Sequence, residues 1–175
     1  MKLPRLLLGL FFAHTATAAD NAFESSFRTS LLLSFDEASG KILRLVDAIP
    51  EDRYGWRPME GVSSVREVLV HVAGTNYALA ERLGVKPPDE VDRRKLGEVM
   101  QTKAEAIRAL QHSIRHVRGV LATIPAADLL PETNVFGARA PRLRVALLPV
   151  DHAHEHLGQL IAYARANHVV PPWSK

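Results

Sequence analysis

The sequence predicts an all-α fold, a four-helix bundle. Apolar residues recur three and four apart along four separate stretches, the stripe of an amphipathic helix. Prolines and glycines interrupt the chain between those stretches. No segment of useful length alternates with the period of a strand, and no internal repeat is visible. With 175 residues, 47% of them hydrophobic, the chain suits one domain with its own core, and four amphipathic helices in one small domain imply a bundle.

The first residues stand apart from that pattern. Lys2 and Arg5 give a basic start, and LLLGLFFA (6–13) is an apolar run too short to span a bilayer. ATAAD (16–20) follows, with Ala16 and Ala18 in the A-x-A positions of a signal peptidase site. Residues 1–19 therefore read as a secretory signal peptide cleaved near Ala18 or Ala19, and residues 20–175 as the mature domain, periplasmic or secreted. The whole chain carries 22 basic and 19 acidic side chains; loss of Lys2 and Arg5 leaves 20 against 19. A nearly neutral protein without runs of like charge excludes a nucleic-acid surface. Absence of cysteine excludes a disulfide framework, a thiolate metal site and a cysteine nucleophile, and is compatible with an oxidising compartment.

The first helix is expected from about Asn21 to Ala48, on the stripe Phe23, Phe27, Leu31, Phe35, Ala38, Ile42, Leu45 and Ile49. IPEDRYGWRP (49–58) stops it with Pro50, Gly55 and Pro58. The second starts at SSVRE, where Ser64 and Glu67 fit a capping box, and ends at Gly84; Val65, Leu69, Val72, Leu79 and Leu83 form its stripe. The third is expected from Val91 to Ile124, with Ile107, Leu110, Ile114, Val117, Leu121 and Ile124 as its seam and Pro125 as its stop. Residues 126–141 read as a loop. The fourth runs from Arg142 to Asn167, with a kink or a late start expected at Pro149.

DHAHEHLGQL (151–160) places three of the chain's eight histidines within five positions. A helix turns about 100° per residue, so His152 and His156 lie within ~40° of each other, while His154 points roughly 160–200° away. His152 and His156 share a row with Val145 and Tyr163, a row that suits the bundle interior. Imidazoles at i and i+4 form a helical bite for a transition metal, both nitrogens reaching one ion about 2.0–2.1 Å away. A third ligand has to come from another helix, and His71, at the edge of the second helix's stripe, is the candidate. His112 and His116 are also four apart, but they point roughly 140–160° from the third helix's stripe among Arg108, Gln111 and Arg115 and read as a solvated face.

Two longer segments carry a resemblance. YGWRPMEGVSSVREVLVHVAG (54–74) resembles the Trp-Arg-Pro turn, Ser-Val helix start and following histidine of the DinB/YfiT-like superfamily of metal-binding four-helix bundles. DHAHEHLGQLIAYAR (151–165) resembles that family's His-x-x-x-His-x-Gly-Gln segment. The likeness extends over residues 22–168. It implies His71, His152 and His156 as the metal ligands. Glu155 departs from the family, which often has histidine directly before the last ligand, whereas Gly158 and Gln159 match it. Gly158 is expected to permit close helix approach, and Gln159 to hydrogen-bond near the site.

Three neutral imidazoles on a zinc-like ion leave a position open, as catalytic sites do. All-nitrogen ligation suits zinc or nickel, and also iron or copper. The expected cofactor is thus a divalent transition metal, and the expected function a metal-dependent hydrolase or transferase acting on a small molecule. The alternatives are a non-catalytic metal-binding or stress-related module and a structural bundle that keeps the site as a relic. The resemblance also implies a homodimer. Trp56, Arg57 and Pro58 read as fixing the turn between the first two helices. Asp151 and Glu155 flank the histidines and are candidates to orient one or to act as a base; Asn76 and Tyr77 lie near His71 as candidate pocket residues.

Overall fold

A computed structural model describes residues 17–174. The expected leader lies mostly in residues 1–16, outside the described residues. The described chain is a helical bundle with one small hairpin. Its long helices are α1 (Ala18–Ala48), α2 (Val65–Arg82), α4 (Lys103–Thr123) and α5 (Arg142–Ala166); α3 (Leu96–Val99) is a single turn. No described helix is long and apolar enough to cross a membrane.

Helix ends follow local chemistry. α1 starts earlier than its apolar stripe suggests, because Thr17 and Asp20 form a reciprocal capping box. Ile49 and Pro50 end it. Ser64 and Glu67 cap α2 in the expected way, and Gly84, at φ +96°, carries the chain away from its end. α5 begins at Arg142 and continues through the buried Pro149, so the late start expected there does not occur.

The expected third helix is divided. Residues 91–102 do not belong to it; the helix proper begins at Lys103, where Thr102 and Glu105 form another capping box. The reason is topological. Arg28 of α1 donates to the carbonyls of Leu121 and Ile124 at the end of α4, at 2.9 and 2.8 Å, so α1 and α4 are antiparallel. Tyr163, late in α5, donates to the Ser63 carbonyl at the start of α2, so α2 and α5 are antiparallel too. Arg82, ending α2, reaches the Asn134 carbonyl in the segment that follows α4, and Lys103, starting α4, reaches the Asp47 and Ile49 carbonyls at the far end. α2 and α4 therefore run parallel, and the chain between them must return along the bundle. Leu96 packs beside Gly74 on that return, and Met100 is fully buried. Val91 and Leu96 keep helical spacing but serve this crossover.

Residues 126–141, expected as a loop, contain an antiparallel hairpin, Glu132–Val135 with Ala138–Pro141. Its two-residue turn has Phe136 at φ 53° and Gly137 at φ 92°, the mirror-image turn that matches strand twist. The Asn134 side chain accepts from the Gly137 N–H at 2.9 Å and holds it.

The core lies mostly on the predicted stripes, with Leu160 of α5 added to them. Phe35, Ile42, Leu45, Leu69, Leu110, Leu121, Val145 and Leu160 are essentially inaccessible to solvent. Phe23, the first residue of the α1 stripe, is 73% exposed, because α1 outruns its neighbours there. α1 packs on α5 and α4, and α2 on α4 and α5. The α2–α5 seam matters most for function.

Candidate metal centre

His71 sits on the second turn of α2, beside the buried Val68 and Val72. His152 and His156 sit mid-way along α5, beside the buried Ala153 and Leu157. Burial of those apolar neighbours turns both helices so that the three imidazoles meet at the edge of the seam. His152 and His156 are half-buried and His71 is exposed, which leaves the group open on one side.

The convergence is close. His152 Nε2 lies 2.9 Å from His71 Nε2 and 3.0 Å from His156 Nε2. Ring centroids are 4.4–4.9 Å apart. One ring nitrogen either carries a proton or offers a lone pair, so neutral imidazoles cannot satisfy this cluster with ordinary paired hydrogen bonds. A cation among them would accept all the lone pairs at once. Nitrogens holding one tetrahedral ion at about 2.0–2.1 Å stand roughly 3.3 Å apart, so a spread of a few tenths of an ångström accommodates it. The donor set fits a divalent transition metal.

Electrostatics favour the same state. Burial, then the neighbouring His156 and His71, depress His152 to about 4. Burial and then His156 also lower His71, while Glu155 pulls the other way. Both imidazoles therefore remain neutral, and able to bind a metal, at neutral pH.

The surroundings are ordered. His156 Nδ1 is 2.7 Å from Gln159 Oε1; Gln159 Nε2 donates to the Tyr163 hydroxyl at 3.0 Å; that hydroxyl donates to the Ser63 carbonyl at 3.0 Å. Trp56 packs edge-on to Tyr163, with centroids 5.3 Å apart. The Trp56 carbonyl accepts from the Val65 N–H at 3.1 Å, and Arg57 pairs with Glu67 of the α2 cap. Trp56 and Arg57 thus fix the turn into α2, as expected. Tyr163 shares the histidine row, and the spacing His156, Gln159, Tyr163 along one helical face is the sequence signal for this chain of bonds.

The other candidates are not bonded to the triad. His154 is exposed and bonds back to the Val150 carbonyl at 2.9 Å. Asp151 is paired with Arg144 at 2.6 Å. Glu155 is exposed and acts on His71 only through its charge. Asn76 and Tyr77 face α4, not the triad: Asn76 donates to Ser113 at 3.1 Å, and Tyr77 packs on His116. A Cβ at Gly158 would meet nothing within 4 Å, so close helix approach is not its role. His112 is exposed as expected, but His116 is half-buried against Tyr77, with Nε2 buried and unpartnered. The solvated-face reading fails for His116 because Tyr77 of α2 reaches across to it.

No curated protein matches the chain. Among solved structures it is similar to YjoA, a DinB-like protein of Bacillus subtilis, at 16% identity and a TM-score of 0.61, over 81% of this chain and 93% of that one. At that identity the likeness concerns the fold. The family model of the DinB superfamily matches residues 34–160, a span that includes His71, His152, His156 and Gln159, and the chain belongs to that superfamily.

Proposed function

We propose that the protein is an exported metalloprotein that holds one divalent transition ion, zinc or nickel before iron, on His71, His152 and His156, and that it uses the remaining coordination position in hydrolysis or group transfer. The observation that carries this reading is the approach of three imidazole Nε2 atoms, two pairs at 2.9 and 3.0 Å, from two helices. An ion so held supplies Lewis-acid polarisation of a carbonyl or phosphoryl oxygen and lowers the pKa of water. The chain's own part is to keep His71 and His152 neutral, to hold all three imidazoles together, and to leave the His71 side accessible to a small molecule. Glu155, exposed one residue before His156, is the carboxylate available to exchange a proton there.

Elemental analysis of untagged protein purified from the envelope fraction tests the reading, paired with turnover of ester, phosphate and thiol-transfer substrates before and after chelation. About one ion per chain and chelator-sensitive turnover support it; metal content unchanged in a variant lacking all three histidines overturns it. N-terminal sequencing of the same material tests export: a start near Ala18 or Ala19 supports cleavage, and intact Met1 contradicts it. Sedimentation equilibrium tests the homodimer that the family suggests.

A non-catalytic metal module is the second reading. An apolar cavity of about 480 Å³, lined by Phe23, Phe27, Leu31 and Leu143 among others, lies between the start of α1 and the start of α5, and its lining includes none of the three histidines. Stoichiometric metal without turnover on any of those substrate classes would favour that reading.

A further inference from the structure

We propose that the Ser63 carbonyl, acting through Tyr163 and Gln159, sets the tautomer of His156 and so determines that its Nε2 is free to bind metal. This rests on the metal reading above, and it assigns Tyr163 and Gln159 as positioning residues.

Donors and acceptors alone fix the direction of each bond in this chain. A backbone carbonyl only accepts, so the Tyr163 hydroxyl, 3.0 Å from the Ser63 oxygen, donates to it. With its one proton so used, the Tyr163 oxygen is an acceptor toward Gln159, 3.0 Å away, and must face the amide nitrogen. Gln159 then presents Oε1 to His156 Nδ1 at 2.7 Å. Two acceptors cannot share that distance, so Nδ1 carries the proton and Nε2 carries the lone pair. The reverse polarity has its own consistent form. If Tyr163 donated to Gln159 instead, the amide nitrogen would face His156 Nδ1, and the proton would sit on Nε2, where it blocks metal. Ser63 is what separates the two.

The origin of the constraint is distant in sequence and adjacent in space. Ser63 precedes the N-cap of α2, and the Tyr163 it contacts is 100 residues further on. Its carbonyl is held by the α1–α2 turn, where Trp56 packs on the Tyr163 ring and bonds into the first turn of α2. The turn that joins two helices therefore presets a ligand on the last one, before any ion arrives. Partners of this kind typically change metal affinity by about 10–100-fold.

The test combines tautomer, affinity and rescue. Imidazole ¹⁵N shifts of the metal-free protein report the tautomer, and cobalt(II) titration followed by visible absorbance reports affinity. In the wild type His156 should be protonated at Nδ1 alone. Tyr163→Phe keeps the ring against Trp56 but removes the polarity; it should give a tautomer mixture and weaken cobalt(II) about tenfold, with the melting temperature of the metal-free protein little changed. Gln159→Leu should weaken cobalt(II) at least as much. Gln159→Glu, which still accepts from Nδ1, should retain both the tautomer and tight binding, and it serves as the test if Tyr163→Phe fails to fold. Unchanged tautomer and affinity in Tyr163→Phe overturn the proposal, as does equal loss in Gln159→Glu and Gln159→Leu. The metal-free shifts judge the relay even if cobalt(II) binds nowhere in the wild type, an outcome that would sink the metal reading instead.

Discussion

Two helices of this bundle carry histidines four residues apart, and the two pairs have different fates. On α5, His152 and His156 meet His71 from α2, and Gln159 orients one of them. On α4, His112 points to solvent while His116 packs tilted against Tyr77, ring centroids 5.2 Å apart, with Nε2 buried and unpartnered. Spacing on one helix is identical. What differs is the neighbour: α5 faces the early turns of α2, where a histidine stands, whereas α4 faces a tyrosine. A helical pair of imidazoles becomes a candidate site only where topology brings a third donor and a second layer.

Removing one ligand of the α5–α2 group should cost the most, through loss of metal. His71→Ala, His152→Ala and His156→Ala should each weaken zinc(II) binding by more than about a hundredfold in isothermal titration, because two imidazoles without the third do not close a site. His112→Ala and His154→Ala should leave affinity unchanged. Equal losses in both groups would dissolve the distinction between the pairs.

Next in size is the stabilisation that metal confers. The ion would tie α2 to α5, so wild-type melting temperature should rise by about 10 °C at zinc(II) about 1,000 times the dissociation constant, where binding contributes about 4 kcal/mol. The rise should vanish in His152→Ala and persist in His112→Ala, measured by scanning calorimetry.

Acid should separate the pairs further. His152 is depressed to about 4, so the folded metal-free protein leaves it neutral where the unfolded chain already protonates it. The unfolded state then binds more protons between about pH 4 and 6.5, and stability rises with pH across that window. The contribution is fully present above about pH 6.5 and is lost as pH falls toward 4. The lowered His71 acts in the same direction. Urea midpoints of the metal-free protein should drop over this range, and the drop should shrink in His152→Ala. A midpoint that climbs as pH falls would contradict the assignment.

The smallest effects lie off the triad. His116→Leu should be neutral or stabilise by about 1 kcal/mol, since it removes a buried nitrogen without a partner. Gly158→Ala should add about 0.5–1 kcal/mol with metal affinity unchanged, because its Cβ enters open space on a helix. Chemical denaturation reads both.

Much of this was legible in the sequence, for local reasons. Ser64 with Glu67 marked the start of α2, Pro50 and Gly84 marked helix ends, and the α5 periodicity separated His154 from its neighbours. The crossover was not legible, because Val91 and Leu96 keep helical spacing while serving a return path set by helix directions. The capping box at Thr102 and Glu105 was its one local signal. The hairpin was hidden because Phe136, not asparagine, occupies the first turn position at φ 53°. His71 stood at the edge of a stripe and needed the family resemblance to join the pair. The Ser63–Tyr163 contact could not be read at all, since it depends on α2 and α5 being antiparallel neighbours.

Everything above turns on one ion being shared by His71, His152 and His156. Crystals of the protein grown with cobalt(II), with an anomalous difference map collected at the cobalt edge, test it most directly. One strong peak should stand about 2.0–2.1 Å from the Nε2 atoms of all three histidines, with His156 Nδ1 still bonded to Gln159. A peak on His112 and His116, a peak shared with His154, or a map with no peak at the α2–α5 seam would contradict it.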